Sequence, residues 1–355
     1  MNPPLKTTPL HTKHLALNAR MLPFGGFDMP IEYQGITAEH EAVRNHVGMF
    51  DVSHMGEVLI KGPNALEYLE RLCTNEITSL EVGQIRYSFL CYQNGTVVDD
   101  ILVYRFNENL YCLVINASNI DNDVEWLTNH LIDGVELENV SKKTAEIALQ
   151  GPSAESMLQP LTDVDLSTLK FFRFVWADVA GCHTLISRTG YTGEDGFELY
   201  TDNESILVLW DTLLKAGVTP VGLGARDTLR FEASLPLYGH EISDSITPTE
   251  AGFSRFITFE KDFIGKAALQ QERTRKLIGL DIIDRGIARA DYLVYHADQV
   301  IGFITTGYKI KDKTYALALV NADIPLGTNV TVEVRGKHLR AVTRNKKFMV
   351  KSYKK

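Results

Sequence analysis

Two adjacent aspartates, Asp99 and Asp100, interrupt an otherwise apolar run from Val97 to Tyr104. Successive strand residues point to opposite faces, which sets Asp100 with Val98, Leu102 and Tyr104, and Asp99 with Val97, Ile101 and Val103. Both faces are otherwise apolar, and an ionised carboxylate there is costly unless paired or hydrogen-bonded. At least one of the two is therefore a candidate acid or base with a raised pKa. The competing reading is an aspartate that bonds turn amides beside Asn94-Gly95. Spacing alone does not choose between the two positions.

Other constellations carry less chemistry. Asp51-Val52-Ser53-His54-Met55 sets an acid, a hydroxyl and an imidazole in a row. Triad members come from separate segments, however, and no G-x-S-x-G accompanies them, which favours a capped turn. Tyr191-Thr192-Gly193-Glu194-Asp195-Gly196-Phe197-Glu198 is a glycine-punctuated loop that delivers Glu198 toward a cleft, or else a turn with solvated acids. Arg226, followed by Asp227 and Arg230 on a helix, reads as an ion pair unless a planar or anionic ligand is present. Gly222 to Asp227 opens like a dinucleotide loop, but Asp227 replaces the third glycine. Gly302 to Gly307 has P-loop spacing, but Tyr308-Lys309 follows where Lys-Ser/Thr is required. The histidines form no H-x-x-x-H or H-E-x-x-H pair, and no metal is expected.

The elements that must position these residues follow from apolar periodicity. Gly56–Gly62 is a strand and Asn64–Cys73 a helix with Leu66, Leu69 and Leu72 on one side. Arg86–Tyr92 and Val97–Tyr104 form a hairpin through Asn94-Gly95, and Leu110–Asn116 is another strand. Ile120, Val124, Leu127 and Leu131 mark a helix, and Gly134–Val140 a strand. The order then recurs: strand Thr144–Gln150, helix Pro152–Leu158, strands Phe171–Trp176, Cys182–Ser187 and Gly196–Tyr200, and a helix from Ile206 to Leu214. Two split-βαβ-like units of an α+β fold are expected, helices covering one face of each sheet. Lys261–Arg275 reads as helix-prone. After it, six short alternating runs between Leu277 and Val342 predict a small β-barrel or sandwich. The boundary falls near 275, dividing the chain into 1–275 and 276–355.

Composition bounds the partners. At 45% hydrophobic and 23% charged, the 355 residues are those of a folded globular chain. A net charge of −9 argues against nucleic acid. Gly336 to Lys355 is an exception, with eight Lys or Arg and no acid, which leaves 28 − 45 = −17 on residues 1–335. Four cysteines without a C-x-x-C pair read as buried free thiols in a reducing compartment. Met1–Thr8 lacks an apolar h-region, and no stretch of eighteen uncharged apolar residues occurs, so a cytoplasmic protein without a membrane partner is expected.

Taken in order, DVSHM (51–55), NGTVVDDILVY (94–104), RTGYTGEDGFEL (188–199), GLGARDTLRFEASLPLYGHEI (222–242) and DFIGKAAL (262–269) closely resemble the T-protein family of the glycine cleavage system. Members are tetrahydrofolate-dependent aminomethyltransferases. The resemblance implies a cloverleaf of three domains around a central folate cleft, and a lipoyl-bearing H-protein as partner. It implies that the aminomethyl group on a thiol of the H-protein arm gives up ammonia and passes its methylene to tetrahydrofolate. By motif position it assigns the catalytic carboxylate to Asp100, the pterin amino edge to Glu198, and a place along the folate to Arg226. Met55, Tyr87, Phe171, Tyr191 and Tyr238 complete the folate-binding set. In the terminal domain the family usually shows Thr-Ser-Gly followed by Ser-Pro, whereas this chain runs Thr305-Thr306-Gly307-Tyr308. Two alternative functions are a folate-dependent demethylase with another one-carbon donor and a non-catalytic folate-binding protein. Leu235-Pro236-Leu237-Tyr238-Gly239 stands where the latter class carries K-G-C-Y-x-G-Q-E.

Overall fold

The computed structural model describes residues 4–353. Its first sheet runs in the order Ile85–Cys91, Val97–Asn107, Leu110–Ile115, Gly56–Lys61, Glu136–Asn139, every neighbouring pair antiparallel. Helices Ala65–Leu72 and Ile120–Asn129 cover one face, burying Tyr68, Leu69, Leu72 and Leu127 against Val58, Ile60, Val103 and Leu113. Asn94-Gly95 turns the hairpin between the first two of these strands, with Gly95 at φ +81°.

The second sheet repeats that order: Phe174–Val179, Cys182–Ser187, Gly196–Thr201, Ala145–Gln150, with Thr219–Pro220 at the far edge. Strand Gly48–Asp51 is inserted before that edge, antiparallel to Ala145–Gln150 and parallel to Thr219–Pro220. Helix Ser205–Lys215 covers its outer face with Ile206, Leu209, Trp210 and Leu213. The inner faces of the two sheets meet through Tyr104, Val114, Phe174, Leu185 and Tyr200, and Tyr104 crosses edge-on to Tyr200 at 5.8 Å. Helix Leu223–Glu232 packs on helix Ile36–Asn45 through Ala225, Leu229 and Val43.

Six strands between Arg275 and Arg344 close into a barrel filled by Leu280, Ile304, Ala318, Val320 and Val332. Of the two arrangements expected, barrel and sandwich, the barrel is present. A buried Arg230 ties it to the rest, donating to Glu241 at 2.6 Å and to Thr306 at 3.1 Å, while Thr305 donates to the same glutamate at 2.7 Å. The thiols of Cys73, Cys91, Cys112 and Cys182 are buried and unpaired. Among the described residues no helix is long and apolar enough to cross a membrane.

Three local expectations are corrected. Lys261–Arg275 is helical only over Lys266–Leu269, because its charged residues offer no apolar stripe to bury. Phe171 and Phe172 lie in a turn, and the strand begins at Phe174. The first hairpin carries a bulge between Leu90 and Cys91, leaving Val98 without a register partner. Val98 therefore joins the helix-side core and Val97 the opposite one, the reverse of strict alternation, while Asp99 and Asp100 keep their opposed faces.

Candidate active site

Asp100 shares the inner face of the first sheet with Leu102 and Tyr104, and opens onto a cavity of about 1130 Å³ between the two sheets. Tyr87 donates to its Oδ2 at 2.9 Å and Asn116 Nδ2 to its Oδ1 at 2.8 Å. Burial, reinforced by the neighbouring Asp99 charge, pushes the Asp100 carboxyl up to about 7 against the pull of those donors. An aspartate near that value can take up or return a proton at neutral pH.

Asp99 points the other way and is fully buried. It accepts from the Asn116 backbone and side chain and from Asn119, each at 2.8 Å. The amides it binds are therefore those of the segment after strand Leu110–Ile115, not those of the Asn94-Gly95 turn. Asp123, a buried helix residue, also hydrogen-bonds Asp99, and burial raises both carboxyl pKa values. Asn116 spans both aspartates.

All eight residues singled out in the sequence line this one cavity: Met55, Tyr87, Asp100, Phe171, Tyr191, Glu198, Arg226 and Tyr238. Met55 ends the turn after Asp51, where Ser53 N–H donates to Asp51 Oδ1 at 3.0 Å, so the capped turn is present. Asp51 itself ends a strand. Phe171 and Phe172 form one wall; Phe172 is held at φ +61° because Ile85 of the first sheet donates to its carbonyl at 2.9 Å and its own N–H reaches Arg188 at 3.0 Å. Tyr191 is anchored by its hydroxyl on the Pro236 carbonyl. Beside it, Gly190 has no room for a side chain, since a Cβ would lie 1.9 Å from Gln150 Oε1.

Glu198 reaches the cleft from strand Gly196–Thr201, and its hydrogen bonds from Thr189 and Tyr200 both fall on Oε2. Oε1 takes no hydrogen bond from the described residues. Burial raises its pKa, opposed by Thr189 and Arg226. Arg226 makes no ion pair among the described residues. Its guanidinium lies 4.6 Å from the Tyr191 ring centre, a flat cationic surface at the cavity wall. The ion pair expected on this helix belongs to Arg230 with Asp227, at 2.7 Å.

Sequence reasoning passed over Asn116 and Glu146 but not the basic tail, Lys337 to Lys355, which its charge leads one to expect beside the cleft mouth. Asn116 sits just past a strand end and carries no motif. Glu146 interrupts the apolar strand Ala145–Gln150, the same signal that exposed Asp100. The segment after the barrel crosses the cavity mouth: Lys346, Lys347 and Lys351 line it, Ser352 N–H donates to Gly193 at 2.8 Å, and Tyr353 stacks on Phe171 at 4.3 Å.

Two facing α+β sheets, a terminal barrel and a carboxylate-bearing cleft define a GCVT-type protein. The GCVT N-terminal domain family matches residues 10–261, and the glycine cleavage T-protein C-terminal barrel domain family matches 275–349. The chain belongs to the glycine cleavage T-protein family. It is 50% identical to an aminomethyltransferase of Alkaliphilus metalliredigens over 99% of both chains. It is 51% identical to one of Halalkalibacterium halodurans over 95% of this chain and 96% of that one. The crystal structure of glycine cleavage system aminomethyltransferase T from Bartonella henselae superposes with a TM-score of 0.93 at 32% identity, covering 99% of this chain and all of that one.

Proposed function

We propose that this cleft is where the chain, an aminomethyltransferase of the glycine cleavage system, carries out folate-dependent transfer. The donor is the aminomethylated dihydrolipoyl arm of the H-protein and the acceptor tetrahydrofolate. The arm's carbon–nitrogen bond breaks to release ammonia, its carbon–sulfur bond breaks to leave a thiol, and the carbon joins two folate nitrogens. The observation that carries the reading is Asp100, held by Tyr87 and Asn116 on a wall of the same cleft as Glu198.

The lining residues suit a folate. Tyr87, Phe171, Phe172 and Tyr191 offer flat apolar walls to a fused ring. Glu198 Oε1 accepts from the ring's amino edge, and Arg226 lies along the ligand. Met55 and Tyr238 complete the enclosure. Asp100 orients the attacking nitrogen, takes up its proton and stabilises positive charge on the transferred carbon. Residues 1–275 form the folate-binding region and 276–355 the barrel domain, and the enzyme works in the cytoplasm, in keeping with its free buried thiols.

Ammonia release and methylene-tetrahydrofolate formation, measured with aminomethylated H-protein, test the assignment. Turnover with another one-carbon donor but none with the H-protein would overturn it.

A further inference from the structure

Beside Glu198 the cleft wall holds a second carboxyl group that the proposed reaction does not use. Glu146 lies directly across from Tyr200 in the register of the second sheet, and Glu198 precedes Tyr200 by two residues on the same face. Glu146 lines the cavity and is only 2% exposed, yet its Oε2 has no hydrogen-bond partner. Buried polar atoms are almost always matched, so an unmatched one on a residue that lines a cavity points to a partner from outside the chain.

The surroundings decide whether that atom is a donor or an acceptor. Burial, then the neighbouring Glu198 and Glu57 groups, raises the Glu146 carboxyl well above its ordinary range against the pull of Arg226 and Tyr200, which favours a donor's role for it. Glu57 is itself buried, with both oxygens unmatched, and burial raises its carboxyl well above the ordinary range too. His54, also at the cavity wall, is held uncharged by burial and by Arg226, down to about 4, and supplies no counter-charge.

We propose that Glu146 is a specificity-determining residue whose carboxyl O–H donates to a ring oxygen of the bound heterocycle while Glu198 accepts from the ring's amino edge. In the folate reading, on which this rests, the ring is a pterin whose amino group and 4-oxo group are separated by one ring nitrogen. A donor beside an acceptor matches that edge. It opposes a diamino edge, where a second N–H would meet the O–H.

Calorimetric titration with folic acid and with aminopterin, which carries an amino group in place of the 4-oxo oxygen, reads the donor directly. Glu146→Leu is expected to weaken folic acid binding roughly 10- to 100-fold and leave aminopterin within about threefold, whereas Glu146→Gln, which keeps an N–H donor, holds both. An unchanged affinity for folic acid, or equal losses for the two probes, overturns the proposal. A loss confined to aminopterin also overturns it, since the carboxyl would then be accepting. Should Glu146→Leu fail to fold, a wild-type preference for folic acid that persists in Glu146→Gln carries the proposal, and its absence overturns it. A wild-type chain that binds none of these, nor 5-formyltetrahydrofolate, sinks the folate reading and this proposal with it, a result distinct from every outcome in which a probe binds.

Discussion

Tyr87 reaches diagonally across its strand pair to Asp100, its hydroxyl donating a hydrogen bond to Oδ2 at 2.9 Å although the ladder places Phe89 opposite the aspartate. Burial, and then the Asp100 charge itself, raises the phenol far above its ordinary range, so Tyr87 remains a donor throughout the working pH. With Asn116 on the other oxygen, the carboxylate has one orientation and keeps lone pairs for a ligand.

Asp100→Asn keeps this shape and removes charge and basicity. Folate binding is expected to survive in calorimetry while ammonia release slows roughly 10²- to 10⁴-fold. Asp99→Asn turns an amide N–H toward the donors Asn116 and Asn119 and is expected to cost about 1–3 kcal/mol of stability in thermal melts, with a smaller effect on turnover. Near-normal turnover in Asp100→Asn beside a folded but inactive Asp99→Asn would reverse the two roles.

The raised Asp100 pKa fixes the sign of a pH effect. The folded chain retains a proton that the unfolded chain loses near its ordinary value of 3.8, and releases it near about 7. Stability contributed by the protonated form is complete below the lower value and disappears as pH rises through the upper one. Asp100→Asn cannot ionise, so its melting temperature should gain on the wild type between pH 5 and pH 8, by roughly 2–3 kcal/mol in free energy. A constant difference across that range would contradict the burial of this carboxyl.

Arg230→Met should be strongly destabilising, by about 3–5 kcal/mol, because it strands the buried Glu241 with only neutral donors, the Thr305 and Thr306 hydroxyls and the Leu237 N–H. Adding Glu241→Leu should recover part of the loss in denaturant melts. A double variant no better than the single one would show that geometry, not charge balance, holds this junction.

Removing the residues after Asn345 takes away Lys346, Lys347 and Lys351 at the cavity mouth. The Michaelis constant for a polyglutamylated folate, or for the proposed H-protein donor if its surface is acidic, is expected to rise several-fold at low salt and to converge with the wild-type value as salt screens the charges. Burial pulls the Lys346 and Lys351 ammonium groups down to about 8, so the wild-type advantage should fade above that pH. Unchanged constants would leave the segment a structural cover of the cavity mouth with no part in steering ligands. Lys354 and Lys355 of the same basic run lie outside the described residues.

Much of this architecture is legible from local spacing. Leu66, Leu69 and Leu72 declare one helix, Ile206 to Leu214 another, and Asn94-Gly95 a hairpin, because each signal is complete within a few residues. Strand Gly48–Asp51 is not legible: four residues owe their conformation to partners near 147–150 and 219–220. Lys261 shows the same limit, since its amine bonds the carbonyls of Cys73 and Asn75, far away in sequence. In the site, alternation gave Asp100 its face, and the resemblance chose it over Asp99. Glu146 carried the same warning of an acid among apolar neighbours and passed unremarked.

The inserted strand Gly48–Asp51 has a consequence for how the chain is made. It belongs to the second sheet, yet the whole first sheet, from Gly56 to Asn139, is synthesised before its antiparallel neighbour Ala145–Gln150. The first sheet is thus nested inside the second along the chain, with entry and exit meeting where Val52 N–H bonds the Glu146 carbonyl at 3.0 Å. On the ribosome the inner unit can close early, while Met49 and Phe50, fully buried at the end, wait without a partner. That interval is the nascent chain's exposed period, when a chaperone or a stray strand would find it.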